Sequence, residues 1–567
     1  MDNIEIKSDT SDTNPIVDIA FRFARHFSSK ELNGHDIHIV KEQRVYKDGT
    51  VKPNLRIISN YLRPFYITKE AYRRHTQKKE SEHISKLICY TSTESNLPNE
   101  IMHKLGKLGY NRNSYWDTLK SPYVYGSDIK STAFIAKQYF DKYGQSKRPY
   151  TVCALDIEAG VDDKILTIIS IVMDDKCFMA INRKLLYNHD LGTDHEVADK
   201  IRDLYNKNKK SNRELNIEVV IYENELDCVL NTIKIVHEWS PDFLAIWNIS
   251  YDFPKMMQII DDAGLNPKDV FSSPDIPKEY RYFEYIAPKK EKIKASGQSL
   301  KVPIQNRWTV IRFPASFYPI DAMTSYAEVR RGAPNVVGGY GADNIAKVTL
   351  GERAGKIKFN VLPENTSKED EHRIMSRDFP IEYCVYNIGD NALILDVDDE
   401  TKDLQVSLPT FSQTSSFDYF NSGPRKILDA YFFYRAKSGY ILGTKPMSDD
   451  NFELLGRKDW IVTLDPNMVA ADARLPHLKQ TDLSTNIRTS VFDLDQSSGY
   501  PSNTVASNLS RETTASEIID IENIPREKFK DNNMNILYGA ISGPRYARDI
   551  LNAPTYDELL SQISNNL

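Results

Sequence analysis

The feature that most constrains this chain is a series of short apolar runs between Tyr150 and Asn248, the first of which carries two acids inside it. TVCALDI, from Thr151, has the length and composition of a buried strand, and KILTIISIVMDD and KCFMAIN follow as two more across short polar turns. IEVVIYEN (217–224) is a fourth. Leu226, Val229, Leu230, Ile233 and Val236 then recur at helical spacing and predict an amphipathic helix to about Trp239, and DFLAIWN (242–248) predicts another strand. Strands and helices in this order predict a mixed α/β sheet.

The rest of the chain is less regular. At 567 residues it is too long for one ordinary core, so several domains are expected, over 1–148, 149–405 and 406–567. The first mixes short strands with basic stretches such as KEAYRRHTQKK (69–79), read as a solvated helix. Residues 280–312 alternate aromatic and polar positions around PKKEKIKASGQSLK and predict a long hairpin with a mobile tip. The Ser- and Thr-rich segment LQVSLPTFSQTSSFDYFNSG (404–423) is read as a domain boundary, before the helical PRKILDAYFFYRAKSG. The architecture expected is therefore multidomain, α/β and α+β.

Composition narrows the class. The net charge of −6 argues against a uniformly basic nucleic-acid coat but permits a local track beside an acidic site. Five scattered cysteines, with no C-x-x-C pair, argue against zinc and against a disulfide framework and fit a reducing cytosol. No apolar run is long enough to span a membrane, so a protein of the cytoplasm without membrane association is expected.

Three acidic constellations could carry chemistry. Asp156 and Glu158 are two apart in a strand, so both carboxylates leave the same face. Two anions side by side repel, and a divalent cation would remove that penalty; a solvated strand end is the plain alternative. Asp252 follows the AIW strand in NISYDFP, where it could equally cap a helix beginning near Lys255. Tyr386 and Asp390 are four apart in YNIGD and would share one helix face.

In this order D-I-E, N-x-x-Y-D-x-P and Y-x-x-x-D resemble the three exonuclease motifs of family B DNA polymerases, with the T-even phage type most similar. The resemblance implies a ribonuclease-H-like domain in which Asp156, Glu158, Asp252 and Asp390 hold two Mg²⁺ or Mn²⁺ ions and Tyr386 orients the attacking water. It further implies that Asn248 positions the 3′-terminal nucleotide, that Asp321 supports the site from behind, and that the hairpin around Lys289–Lys301 helps part the primer strand. Hard cations take oxygen ligands, and no histidine or cysteine motif competes for that role in the sequence.

Further on, Asp495-Gln-Ser-Ser-Gly-Tyr-Pro-Ser502 is similar to polymerase motif A. By that resemblance Asp495 is a catalytic palm aspartate and metal ligand, while Ser498 and Tyr500 contact the incoming nucleotide. Gly499 stands where the family has Leu, and no D-T-D-S motif follows to supply the second palm aspartate. The chain is expected to hold the N-terminal portion of a palm and to polymerise dNTPs only in a hetero-complex with a C-terminal polymerase chain. Single-stranded and primer-template DNA are the expected substrates. A stand-alone exonuclease with a vestigial palm, or a non-catalytic nucleic-acid-binding scaffold, are the competing readings.

Overall fold

The structure is a computed structural model that describes residues 14–75, 79–106, 121–293, 297–334, 336–351, 354–359, 361, 366–412 and 415–444. Asp495, Ser498 and Tyr500, with most of the expected palm, lie outside the described residues.

The molecule is mixed α/β with several sheets, as the patterning predicts. In the N-terminal part, β1 (Ile16–Phe27), β2 (Ile37–Tyr46) and β3 (Val51–Ser59) form an antiparallel sheet. β4 (Arg63–Thr68) lies between β6 (Leu87–Ser92) and β7 (Val124–Tyr125), while β5 (Ser81–His83) pairs with β18 (Tyr440–Leu442) from far along the chain. The described part of 69–79 carries a single 3-10 turn, Glu70–Tyr72, and not the expected helix. Its run of basic side chains offers no apolar stripe for packing to reward.

The central sheet has six strands in the order β11-β10-β9-β8-β12-β17. β8 (Val152–Ala159), β9 (Leu166–Met173) and β10 (Lys176–Asn182) form an antiparallel meander. β11 (Asn216–Tyr222) joins β10 in parallel on one side; β12 (Phe243–Ile246) and β17 (Tyr318–Asp321) continue in parallel from β8 on the other. Every residue of β9 is buried, because both faces of the sheet are covered.

One covering layer holds helices Glu225–Trp239 and Ile249–Asp262 over Leu155, Ile157, Ile169 and Ile171. The Glu225–Trp239 helix starts where Asn224 accepts the Asp227 N–H at 2.9 Å and stops where Ser240 turns left-handed at φ 48°. The opposite layer holds helices Asp194–Asn208 and Pro380–Thr401 over Ala154, Ile168, Val172 and Met179. Proline at the first turn of Pro380–Thr401 sacrifices no helical hydrogen bond, and Cys384, Val385 and Ile388 are fully buried against the sheet. Each such aliphatic side chain contributes about 1.5–3 kcal/mol by leaving water.

The expected boundary at 404–423 is packed instead. Leu404, Leu408, Phe417 and Phe420 are buried in the same core as the sheet, with the Phe417 ring tilted against Phe243 at a centroid distance of 4.6 Å. Its serines and threonines describe composition, but four apolar side chains decide its position. The 280–312 segment is a hairpin in two tiers: β13 (Glu284–Ile286) pairs with β16 (Val310–Arg312), and β14 (Glu291–Ile293) pairs with β15 (Ser299–Lys301). Its tip, 294–296, lies outside the described residues. No helix among the described residues is long and apolar enough to cross a membrane.

Candidate active site

The strand period puts Asp156 and Glu158 on the sheet face covered by helix Pro380–Thr401, where β8 runs toward its carboxyl end. The same end of the parallel strands β12 and β17 leads into helix Ile249–Asp262 and Asp321, so four separate chain segments meet there. Ligand atoms of Asp156, Glu158 and Asp390 lie within 4.8 Å of one another, a group that could hold a metal ion.

Asp252 does not join that group, but it is close enough for its charge to be felt. Its helix begins at Ile249, earlier than the sequence suggests, so Asp252 sits in the first turn and Asn248 takes the capping position. Burial raises the Asp252 carboxyl well above the usual carboxylate range, and the neighbouring Glu158 charge adds to the rise. Burial raises Asp156 in the same way, reinforced by Glu158, Asp252 and Asp390. Asp390 is pushed up to about 6 by burial, against the pull of Lys356. Crowded acids that disfavour their own ionisation are the electrostatic condition a divalent cation relieves.

The side chains holding these acids were less visible in the sequence. The Asn387 amide donates to Asp156 Oδ2 at 2.7 Å, and its own oxygen accepts from Ser170 Oγ at 2.5 Å. The Tyr383 hydroxyl donates to Glu158 Oε2 at 2.6 Å, and His372 Nδ1 stands 3.4 Å from the same oxygen. That carboxylate raises the His372 imidazole above its ordinary value. Tyr383 and Asn387 share a helical face with Tyr386 and Asp390, so three- and four-residue spacing was a usable signal for both.

Lys356 had no such signal. Its ammonium pairs with Asp390 and donates to the Tyr386 hydroxyl oxygen at 2.6 Å. Tyr386 therefore reaches Asp390 through Lys356, rather than by the direct convergence that their spacing suggests. The other Asp390 oxygen, Oδ1, is buried without a hydrogen-bond partner. Such an atom costs about 1–3 kcal/mol, which a bound cation would offset.

Asn248 is exposed beside this cluster, its Oδ1 accepting from Ser250 Oγ at 2.9 Å. Asp321 is buried at the end of β17, where it accepts the Thr324 N–H at 2.7 Å; burial pushes its carboxyl up to about 7. Its charge also raises Asp252. A second group able to hold a metal ion, His26, Asp36 and His38, lies in the N-terminal part. No protein-family model and no curated protein matches the chain.

Proposed function

We propose that this chain is the 3′→5′ exonuclease and partial palm of a family B DNA polymerase of the T-even phage type, acting on DNA in the cytoplasm. The observation that carries the reading is the meeting of Asp156, Glu158 and Asp390 within 4.8 Å, two of them on a strand and the third on a helix far along the chain. The strand order supports it too. An antiparallel meander extended by two parallel strands, β10-β9-β8-β12-β17, is compatible with a ribonuclease-H-like domain.

Oxygen-only ligands on acids that resist ionisation together suit Mg²⁺ or Mn²⁺, which Asp156, Glu158, Asp252 and Asp390 would hold. Two such cations, held by those carboxylates, would supply an activated water and charge stabilisation for the departing oxygen of a phosphodiester. The chain's own groups do the rest. Asn387 and Tyr383 fix the rotamers of Asp156 and Glu158, so that their lone pairs are preorganised. Tyr386, whose oxygen already accepts from Lys356, keeps its own hydroxyl proton to orient a water. Lys356 brings a positive charge to a site where a phosphate must approach carboxylates.

Tyr251, 54% exposed beside Asp252, and Asn248 are placed to border the terminal nucleotide. Lys289, Lys290, Lys292 and Lys301 make the hairpin a basic projection suited to a DNA strand. Asp495, Ser498 and Tyr500, outside the described residues, would serve the nucleotide site of the palm.

The test is excision from a 5′-labelled single-stranded oligonucleotide by the full chain with Mg²⁺ or Mn²⁺. Stepwise release of mononucleotides is expected, reduced on the order of a thousandfold or more by Asp156→Ala with Glu158→Ala. Equal release by the double variant, or none by the unmodified chain with either metal, defeats the reading.

A further inference from the structure

We propose that His26, Asp36 and His38 form a second metal site, selective for a zinc-like divalent cation and separate from the acidic cluster. The proposal does not depend on the nuclease reading. Register alone brings the two histidines together: His26 on β1 pairs directly with His38 on β2, so both side chains leave the same face. Their rings lie 4.6 Å apart and 25° from parallel. Asp36 immediately precedes β2 and is buried beside them. One nitrogen of each ring and one Asp36 oxygen lie within 4.8 Å of one another.

The hydrogen bonds leave the right atoms for a cation. His38 is fully buried, its Nε2 lies 2.7 Å from Ser131 Oγ, and its Nδ1 has no partner. With Nε2–H donating to the serine, Nδ1 carries a lone pair to which no group among the described residues donates. Asp36 Oδ2 accepts the Ser95 N–H at 2.9 Å, which leaves Oδ1 to face His26. Oδ1 is 2.9 Å from His26 Nε2. Two ligands of a tetrahedral ion, each about 2.0–2.1 Å from it, are about 3.3 Å apart, so a small adjustment converts this contact into a shared ligand edge.

A hydrogen-bonded His–Asp pair alone accounts for His26 and Asp36, but not for the orphaned His38 nitrogen. Ser131 and Ser95 occupy the supporting positions that orient metal-binding imidazoles and carboxylates. Two imidazoles and one carboxylate favour Zn²⁺ over Mg²⁺, with water completing the coordination on the side where the His26 ring is 17% exposed. The ion would tie β1 and β2 to the helix Ser131–Tyr143, whose first residue is Ser131.

The full chain carrying Asp156→Ala and Glu158→Ala, stripped of metal and titrated with Zn²⁺ against a chromophoric chelator, should bind one tight ion. Excess Mg²⁺ should not displace it. His26→Ala, at the more exposed ligand, should weaken binding on the order of a hundredfold. X-ray absorption on the one-zinc protein with both histidines intact should show two imidazole ligands, a readout that survives even if histidine variants misfold. Zinc affinity unchanged by His26→Ala, absence of imidazole scattering, or displacement by Mg²⁺ would each overturn the proposal.

Discussion

In the proposed nuclease, Lys356 and a divalent cation compete for the Asp390 carboxylate. Lys356→Met should therefore tighten Mg²⁺ binding, on the order of tenfold by calorimetric titration, while slowing excision. Weaker Mg²⁺ binding by the variant would show that Lys356 assists the metal instead. Asp321 makes a separate prediction about pH. Its folded value, about 7, lies above that of an unfolded aspartate near 3.8, so the native state holds a proton that the unfolded chain has lost. Without metal, stability should fall as pH rises from about 4 to about 7 and level off above. Asp321→Asn, which keeps an oxygen for the Thr324 N–H, should flatten part of that slope in urea unfolding at pH 5 and pH 7.5; an unchanged slope would count against burial as its source. Among single residues, Asp156 and Glu158 were legible because alternation on a strand is a local rule. Lys356 was not, because it sits in 354–359, outside any helix or strand, and meets Asp390 only through the tertiary fold.

At the scale of elements, apolar periodicity revealed those that bury a continuous stripe or run. β8 to β12 and the helix Glu225–Trp239 were legible for that reason. The helix Asp194–Asn208 is mostly polar, and its one clear mark is the capping box between Thr193 and Glu196. β17 is four residues long with Pro319 inside it, tolerable only because it closes the sheet at an edge. Gly389 shows how tightly helix Pro380–Thr401 is fitted to its surroundings: an added Cβ would meet Ile357 Cδ1 at 2.7 Å. Gly389→Ala gains about 1 kcal/mol of helix propensity and loses about 1–3 kcal/mol to overpacking. Net stability should therefore change little or fall modestly in calorimetry. Excision should fall on the order of tenfold, because the displaced Ile357 adjoins Lys356. A variant as active as the parent would mean that this contact does not position Lys356.

Across residues 14–444 as a whole, the N-terminal sheet and the six-stranded sheet share a buried ionic joint. Asp242, at the start of β12, accepts from Arg22 Nη2 at 2.8 Å, lies 2.9 Å from Lys41 Nζ, and accepts the Thr151 N–H at 2.9 Å. Arg22 comes from β1 and Lys41 from β2, and all three side chains are buried. Burial alone would raise the Asp242 carboxyl, but the two cations reverse that and hold it down at about 2. Because this lies below the unfolded value, the contribution to stability is complete above about pH 4 and disappears as pH falls through about 2. Replacing such a joint with apolar side chains could be neutral, whereas removing one partner strands charge in the interior at about 3–5 kcal/mol. Asp242→Asn should thus leave Arg22 and Lys41 uncompensated and weaken β1 and β2 first, since both cations belong to those strands. Native-state hydrogen exchange at neutral pH provides the check. Amides of β2 should open more easily by about that amount, while those of β9, at the centre of the six-stranded sheet, should keep more of their protection. Equal loss in both sheets would instead mean that they unfold as one cooperative body.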